Sequence, residues 1–516
     1  MDTASILRES RAESALDRLG FTTEVGKQQY KQQLQKLTPN IGILQRRQAT
    51  ILALRKGLDI ETDNKLQSLF QDIQTIEPDL QIFFDSSDVE KDSYQQLMFS
   101  AWKPLQVLNT VPFLLLALAF FKKFVVPALA VLTPLFMVVM PYVFLKYWYN
   151  LPISTDQYIK ILTGMFGLQN LDLKNPRTIL QGSLTMFSIG QSIYQPIQNA
   201  IHLQTIHQQM MKKAEAAQRF VVCSEEILQC LPSAYRYKNP LQDMETQDIH
   251  RLFASFWDEP HRLRLALQCV GDCEVVYRLA KSPHVKPVVF KASDKPYMSI
   301  KDGIDPFLEN PIPYSLLLNG KSHHAILTGP NRGGKSSVLR STLLNLVMMQ
   351  TFGVGFALDS GRLELRPFDW IATGLRLEDR PGSSSMFESE VDFAIQILQR
   401  AKQQPEKLGF LVFDELFHST NPPDGARTAD IFLTKIWDHK NLASFISTHV
   451  FELAKKASPK IQKLCVPAHK KEDGDLHFTY TLQDGICEVS SVDLILQEKG
   501  LLQKGAETSS PEKPKQ

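Results

Sequence analysis

Residues 329–336, GPNRGGKS, match the pattern G-x-x-x-x-G-K-[ST], which constrains the fold of this chain more than any other stretch. A short apolar run, residues 325–328, precedes this loop, and helical sequence with apolar residues on one face follows it. In a strand–loop–helix context, the N–H groups of such a loop close around phosphates, and the start of the helix adds positive potential. The sequence therefore predicts an α/β P-loop ATPase domain with a mostly parallel sheet and helices on both faces.

The loop supplies the candidate residues for binding the phosphates of ATP. We expect Lys335 to reach the β- and γ-phosphates, and we expect the Ser336 hydroxyl to take a position on Mg²⁺. A Gly-rich turn that arose by chance is the alternative. The candidate ATP-binding residues of the loop are Gly329, Pro330, Asn331, Arg332, Gly333, Gly334, Lys335, Ser336 and Ser337.

An apolar run that ends in two carboxylates lies 79 residues after the P-loop lysine. Residues 410–413, FLVF, are followed by Asp414 and Glu415, as in a buried parallel strand with acidic residues at its carboxyl end. We expect Asp414 to hold Mg²⁺ through water and Glu415 to orient or deprotonate the attacking water. A further strand, residues 444–447, ends two residues before His449. This histidine is a candidate sensor of the γ-phosphate, and a surface histidine is the alternative.

Four stretches together resemble the ATPase domain of the MutS family of mismatch-repair proteins. They are LTGPNRGGKSS, SMFESE, DELFHSTNPPDG and STHVFEL, and the resemblance covers about residues 300–502. It implies an ATPase that uses ATP and Mg²⁺, forms a homodimer and binds duplex DNA. In the family, the first serine of the SMFESE motif comes from the opposite subunit, which implies that Ser385 completes the nucleotide site across a dimer. A flexible Ser/Gly loop is the alternative for Ser385.

The chain also departs from the family pattern. Phe417, His418 and Ser419 stand where the family usually has Gly-Arg-Gly. The family reads mismatches with a Phe-x-Glu sequence in an N-terminal domain, and residues 1–100 contain no such sequence. Mismatch recognition is therefore implied by the resemblance alone.

Ahead of the P-loop, Tyr314 is a candidate for stacking on adenine, with packing in the core or on the surface as the alternative.

Two uncharged apolar runs, Leu105–Phe121 and Phe124–Leu145, are separated by the pair Lys122 and Lys123. Each run is about as long as a segment that crosses the hydrocarbon core of a bilayer. Prolines inside a soluble helix cost about 3 kcal/mol each, and membrane helices tolerate them better. The second run contains three prolines at intervals of seven residues: Pro127, Pro134 and Pro141. The sequence predicts a two-span transmembrane hairpin, with a buried soluble hairpin broken at the prolines as the alternative.

Five parts are predicted along the chain. They are an N-terminal helical region (1–100), the hydrophobic hairpin (101–150), a helical lever or core-like region (151–299), the MutS-like ATPase domain (300–502) and a disordered tail (503–516). The expected location is the cytoplasmic side of a membrane to which the chain is anchored, with a nuclear or cytosolic location as the alternative.

Composition limits the functions that remain. The net charge of +2 gives no basic signature for nucleic acid, and six scattered cysteines fit a reducing compartment. The interval before the Asp-Glu strand lacks the LSGGQ-like start of a helix that transporter ATPases carry. Two hypotheses remain: a DNA-associated ATPase whose dimer moves a helical clamp, and a membrane-anchored ATPase that acts on a membrane partner.

Overall fold

The computed structural model describes residues 3–85, 88–99, 105, 108–109, 111–165, 176–232, 238–244, 248–375, 386–470, 476–489 and 496. They form two compact units, and each is described by itself. The first unit comprises Met1–Gln67, Gln229–Arg236 and Val270–Gln516, and the second comprises Ser68–Leu228 and Tyr237–Cys269. The predicted domain boundaries at residues 100, 150, 299 and 502 stay predictions.

Helices form all the regular structure that is described before residue 285. They are α1 (Thr3–Ser10), α2 (Ala15–Leu19), α3 (Glu24–Leu34), α4 (Ile41–Gly57), α5 (Ile60–Leu80), α6 (Ile82–Asp85), α7 (Asp88–Gln95), α8 (Pro112–Phe120), α9 (Val126–Val143), α10 (Thr155–Met165), α11 (Pro176–Cys230), α12 (Ile249–Asp258) and α13 (Pro260–Lys281). A 3₁₀ turn, Ala12–Ser14, joins α1 to α2.

Strands and helices alternate in the rest of the described chain. The elements are β1 (Val285–Phe290), β2 (Met298–Gly303), β3 (Tyr314–Leu318), β4 (His324–Thr328), α14 (Lys335–Phe352), β5 (Val354–Leu365), β6 (Trp370–Gly374), α15 (Met386–Gln403), β7 (Gly409–Phe413), α16 (Pro422–Trp437), β8 (Leu442–Ser447), α17 (Phe451–Lys456), β9 (Gln462–Cys465), β10 (Ala468–Lys470), β11 (Leu476–Phe478) and β12 (Gln483–Asp484).

The main sheet has the strand order β12-β9-β4-β8-β7-β6, and only β12 runs antiparallel to its neighbour. Every residue of β4, β7 and β8 is buried, as expected for strands covered on both faces. Helices α15, α16 and α17 bury apolar side chains in one cluster with β7, whereas α14 packs against β8 and β5. The predicted mixed α/β domain with a mostly parallel sheet is confirmed. A second sheet, β1-β5-β2-β3, lies in the same unit.

The N-terminal helices are an integral part of this first unit. Helices α1, α3 and α4 pack against α14, the helix that follows the P-loop. The fully buried Tyr30 ring stacks on Phe352 with centroids 5.6 Å apart, and its hydroxyl donates to the carbonyl of Ala12 at 3.1 Å. Arg55 donates to four carbonyls at the end of α13 and the start of β1, at 2.7 to 3.1 Å. Residues far apart in sequence thus form one core.

The second unit is helical in its described residues. Phe83, Tyr94, Phe253 and Trp257 form an aromatic cluster, with ring centroids 5.1 to 6.5 Å apart. Helix α11 continues for 55 residues with Pro196 inside it. One helix therefore accounts for all of Pro176–Cys230.

The predicted hairpin is wrong in its geometry, because the chain does not turn at Lys122 and Lys123. A π-helical segment, Phe121–Val125, contains both lysines and joins α8 directly to α9, and a second one, Phe144–Trp148, continues α9. The two π-helical segments flank the proline-containing stretch, and the backbone stays helical through Pro134 and Pro141. Residues Pro112–Pro134 are long and apolar enough to cross a bilayer by length and composition, and 11% of the most apolar window is buried.

Candidate nucleotide-binding site

The predicted P-loop lies between β4 and α14 and has a backbone that requires glycine. Gly329 has φ of 150° and Gly334 has φ of 98°, both in the region that side chains disfavour. A Cβ atom at Gly329 would lie 2.8 Å from the carbonyl oxygen of Val466, closer than real Cβ contacts. Arg332, with φ of 64°, adopts the left-handed conformation at the tip of the loop. Glycine at positions 329 and 334 is therefore required by the backbone, in agreement with the sequence pattern.

Lys335, the first residue of α14, is 4% exposed and points into the loop. Its Nζ donates to the carbonyl oxygens of Gly329 and Pro330 at 3.0 Å each. Burial lowers the pKa of Lys335, while the nearby carboxylates of Glu415 and Asp414 favour its charged form. A buried ammonium group whose partners are the carbonyls of its own loop can exchange them for phosphate oxygens.

Asp414 and Glu415 directly follow β7, at the carboxyl end of the sheet beside the loop. Ser447, the last residue of β8, donates its hydroxyl hydrogen to Oδ1 of Asp414 and accepts the backbone N–H of Glu415 at 3.2 Å. Ser447 is fully buried, so these two bonds fix both acidic residues to the neighbouring strand. From sequence, Ser447 is recognisable only as a strand residue. Its position two residues before His449 was the available signal.

His449 lies at the carboxyl end of the same strand and contacts Glu415. Its Nε2 is 2.5 Å from Oε1 of Glu415. The hydrogen bond to His449 lowers the pKa of Glu415, with burial acting in the opposite direction and Lys335 adding to the lowering. The structure therefore brings together the predicted catalytic residues Lys335, Glu415 and His449 at one edge of the sheet.

The backbone after β7 is left-handed at two residues with side chains. Glu415 has φ of 54° and Phe417 has φ of 55°. This conformation costs a residue with a Cβ about 1–2 kcal/mol, and glycine adopts it freely. Phe417 stands where the MutS family usually has glycine, so the chain keeps a backbone suited to glycine and uses the side chain for packing. The Phe417 ring is 3% exposed and lies 5.9 Å from that of Phe432.

A cavity of about 530 Å³ opens in front of the loop. This volume is within the range of small-molecule sites. The following residues line it: Asp305, Leu308, Glu309, Asn310, Ile312, Tyr314, Pro330, Asn331, Arg332, Gly333, Gly334, Lys335, Ser336, Ser337, Val338, Ser341, Glu415 and Tyr480. Tyr314 is 4% exposed and its hydroxyl accepts a hydrogen bond from Nδ2 of Asn345 at 3.2 Å. Its stacking on adenine stays a prediction.

The oxygen donors at the site fit Mg²⁺ that arrives with a nucleotide. Among the residues that the structure describes, no group of three or more His, Cys, Asp or Glu side chains is arranged to hold a metal ion. The predicted ligands, the Asp414 carboxylate and the Ser336 hydroxyl, are both hard oxygen donors. Mg²⁺ usually takes one or two carboxylates together with substrate phosphates and water. Such a site is complete only when phosphate supplies the remaining ligands.

Ser385 lies outside the described residues, and the part of its motif on α15 is described. Glu390 is 3% exposed, and its carboxylate accepts a hydrogen bond from Oγ of Ser419 at 2.5 Å. Nδ1 of His418 lies 3.2 Å from the other carboxylate oxygen and 3.0 Å from the carbonyl oxygen of Glu415. Two of the residues that depart from the family pattern therefore connect the serine-motif helix to the loop that carries Glu415. No local sequence pattern predicts this network.

Comparison with known proteins shows a similarity in the nucleotide-binding half of the chain. Residues 325–497 match the family model of MutS domain V, and this range contains the P-loop, Asp414, Glu415 and His449. This match supports a relationship to the MutS family over about a third of the chain. It is 27% identical over 242 residues to the DNA mismatch repair protein MutS of Geobacillus thermodenitrificans (strain NG80-2).

Two vertebrate mismatch repair proteins are similar to this chain at about the same level of identity. The DNA mismatch repair proteins Msh6 of Gallus gallus and Homo sapiens are 25% and 26% identical to it over 272 and 280 residues. These three alignments cover 44 to 48% of this chain. They cover 25% of the bacterial relative and 20% of each vertebrate relative.

Proposed function

We propose that this chain binds ATP with Mg²⁺ and hydrolyses it. One observation carries the proposal: the buried ammonium group of Lys335, the carboxylate of Asp414 and the Glu415–His449 pair lie together beside the cavity. A phosphate-binding loop, a metal-binding carboxylate and a base on neighbouring strands form the minimal set for phosphoryl transfer to water.

Each residue has a distinct role in this proposal. Lys335 and the loop N–H groups bind the phosphates, while Asp414 and the Ser336 hydroxyl hold Mg²⁺. When bound, Mg²⁺ supplies positive charge that offsets the charge on the phosphates. Glu415 orients or deprotonates the attacking water, and His449 holds the Glu415 carboxylate and senses the γ-phosphate.

A phosphate-release assay on the purified full chain tests this proposal. With ATP and Mg²⁺ we expect steady turnover that is lost on chelation of the metal. Lys335→Ala should remove turnover because the loop loses its only buried cation among the described residues, whereas Lys321→Ala, at an exposed lysine before β4, should not. A wild-type chain with no turnover and no affinity for ATP would overturn the proposal.

Dimerisation and DNA association belong to the same proposal and rest on the similarity to the MutS family. Ser385 would then act at the nucleotide site of the partner subunit. Because the net charge is +2 and residues 1–100 contain no Phe-x-Glu, we expect weak duplex binding through phosphate contacts and no preference for mismatches. Affinities for matched and single-mismatch duplexes across a salt series test this. A preference above about tenfold, roughly 1.4 kcal/mol, would reveal a mismatch reader elsewhere in the chain.

A second candidate function is a membrane-anchored ATPase that acts on a membrane partner. The observation in its favour is the apolar stretch Pro112–Pro134, whose most apolar window is 11% buried, with Phe113, Phe120 and Phe124 at least half exposed. Exposing so many neighbouring aromatic and aliphatic side chains to water is unfavourable in free energy, and large exposed apolar patches mark protein or membrane contacts.

Vesicle flotation of the full chain tests the second candidate. The wild type should float with phosphatidylcholine vesicles and resist carbonate extraction, and a variant with Leu129→Glu and Leu132→Glu on the exposed side of α9 should lose both properties. Wild-type protein that stays in the supernatant without detergent and without vesicles would overturn this candidate.

A further inference from the structure

The first two helices of the chain contact two segments that border the candidate nucleotide site. We call residues 3–23 the N-terminal brace; it comprises α1, the 3₁₀ turn, α2 and the turn into α3. In sequence, the brace lies about 300 residues before the P-loop. All the contacts described below lie within the first compact unit.

One contact of the brace holds a loop that lines the cavity together with the P-loop. Nη2 of Arg18, on α2, donates to the carbonyl oxygen of Phe307 at 2.7 Å. Phe307 lies between Asp305 and Leu308, which both line the cavity. The other end of this loop is fixed to the P-loop helix, because Ser341 donates its hydroxyl hydrogen to the carbonyl oxygen of residue 304 at 3.0 Å. Arg18 therefore fixes the part of the cavity wall that contains Asp305 and Leu308, and with the phosphates on the P-loop this part of the wall is left to the rest of the nucleotide.

The second contact reaches the strand beside Asp414. Glu9, on α1, is 8% exposed, and its Oε2 accepts hydrogen bonds from Oγ1 of Thr373 at 2.5 Å and from the N–H of Leu375 at 2.9 Å. Gly374 lies between these two donors, and its carbonyl oxygen accepts the N–H of Asp414 at 3.4 Å. Among the described strands, β6 is the edge strand of this sheet, next to β7. Glu9 therefore fixes the end of β6, where the carbonyl oxygen of Gly374 accepts the backbone N–H of Asp414.

The brace is itself anchored by a buried charged pair on α13. Glu274 is fully buried, and its carboxylate accepts the N–H groups of Thr22 and Thr23 at 2.7 and 3.2 Å. The same carboxylate pairs with Arg278 at 3.2 Å. A Cβ atom at Gly26 would lie 2.1 Å from Glu274, so the start of α3 approaches this carboxylate as closely as glycine allows. The brace is thus held in a defined position at its carboxyl end.

We propose that the N-terminal brace is a positioning element of the nucleotide site, in which Arg18 sets the wall facing the base and Glu9 sets the metal-side carboxylate, Asp414. Both are positioning residues, since neither lines the cavity. The inference rests on the proposed binding of ATP and Mg²⁺. It assigns separate effects to the two residues, because base contacts and metal contacts use different parts of the ligand.

Equilibrium titration of the full chain with ATP and with inorganic triphosphate, with and without Mg²⁺, tests the inference. Loss of one hydrogen bond changes affinity by several-fold. Arg18→Ala should weaken ATP binding roughly fivefold and leave triphosphate binding unchanged, because triphosphate has no base. Glu9→Ala should reduce the gain in ATP affinity on adding Mg²⁺ by roughly fivefold and leave metal-free binding unchanged.

Conservative and control variants separate positioning from folding. Arg18→Lys and Glu9→Gln keep a donor or an acceptor and should give intermediate values, and they carry the test if the alanine variants do not fold. Arg46→Ala, which removes an exposed arginine on α4, and Glu13→Ala, which removes an exposed carboxylate of the brace, should match the wild type.

The outcomes distinguish this inference from the proposed function. A wild type that binds neither ligand overturns both. A wild type that binds them, with Arg18 and Glu9 variants equal to the controls, overturns the brace alone. Equal weakening of ATP and triphosphate in every variant, with a lower melting temperature, also overturns it, since that result shows loss of folding without selective positioning.

Discussion

His449 Nε2 and Glu415 Oε1 lie 2.5 Å apart, so the histidine that follows β8 holds the carboxylate that follows β7. The two residues belong to neighbouring parallel strands, whose carboxyl ends meet at the same edge of the sheet. This contact fixes the orientation of the Glu415 carboxylate and, by lowering its pKa, favours its ionised form.

Replacing the proposed base should separate binding from hydrolysis. Glu415→Gln keeps the shape of the side chain and removes its basicity, so we expect ATP to bind with nearly wild-type affinity and to turn over at least about a hundredfold more slowly. Single-turnover phosphate release and nucleotide titration measure the two effects. Glu452→Gln, at an exposed glutamate on α17, is the control and should turn over normally. Normal turnover in Glu415→Gln would show that another group acts as the base.

The pH dependence of hydrolysis should report the Glu415–His449 contact. Because the pKa of Glu415 is held below its ordinary 4.5, its carboxylate is deprotonated at neutral pH and is protonated only as the pH falls below that value. His449→Ala removes the largest lowering influence and leaves the burial that raises this pKa. The acid limb of the kcat/KM profile should therefore move to higher pH in this variant. His477→Ala, at an exposed histidine on β11, should leave the limb in place, and an unmoved limb in His449→Ala would contradict the assignment.

Ser447 should affect hydrolysis more than stability, in contrast to a second buried serine of the same strand. Ser447→Ala removes the bonds to Asp414 and to the N–H of Glu415, so we expect turnover to fall roughly tenfold, the scale of about 1–1.5 kcal/mol. Ser444→Ala, whose hydroxyl contacts Nδ1 of His324 at the other end of β8, should lower the melting temperature and spare turnover. Equal turnover in the two variants would remove the proposed role of Ser447.

Mixing two inactive variants should restore activity if the site is shared between subunits. Ser385→Ala and Lys335→Ala should each be nearly inactive as homodimers. In a mixed dimer, one nucleotide site carries neither change, so up to a quarter of the wild-type rate is expected when subunits exchange at random. The specific rate of the wild type should also rise with protein concentration. A rate that is independent of concentration, together with no rescue, contradicts the shared site.

The docking of the N-terminal helices should be visible in the stability of the whole first unit. Tyr30→Phe removes one buried hydrogen bond and should cost about 1 kcal/mol of the free energy of unfolding, whereas Tyr30→Ala leaves a cavity and should cost about 3–5 kcal/mol. Chemical denaturation followed by far-UV circular dichroism measures both. Tyr194→Phe, at a residue that is 61% exposed, should be neutral. Unchanged stability in Tyr30→Ala would show that α3 is not part of the core.

Local sequence patterns were enough to predict the centre of the site. The P-loop, the apolar strand before Asp414 and the strand before His449 are each specified within about ten residues, so their positions in the sheet followed from the sequence. The N-terminal brace could not be predicted in this way, because Glu9 and Thr373 meet across 364 residues and no local pattern pairs them. The network of Glu390 with His418 depends on tertiary packing in the same manner.

The turn predicted at Lys122 and Lys123 was wrong, because the backbone there continues as a helix. Two adjacent charges between apolar runs suggest a loop, yet a lysine has a good helix propensity and a π-helical segment accommodates both residues. Nζ of Lys122 donates to the carbonyl oxygen of Gln96 at 2.5 Å, a contact with a distant part of the chain. The location of a charge along the sequence did not reveal this partner.

The burial of Tyr30 against the helix after the P-loop also has a consequence for biosynthesis. Its hydroxyl lies 3.5 Å from Sδ of Met348, which is 318 residues later in the chain. At about 5–20 residues per second, a ribosome needs roughly 15 to 60 s to make the intervening polypeptide. During that interval the side chains of α1, α3 and α4 that pack against α14 lack this partner, so the docking of these helices is completed only after α14 has been made.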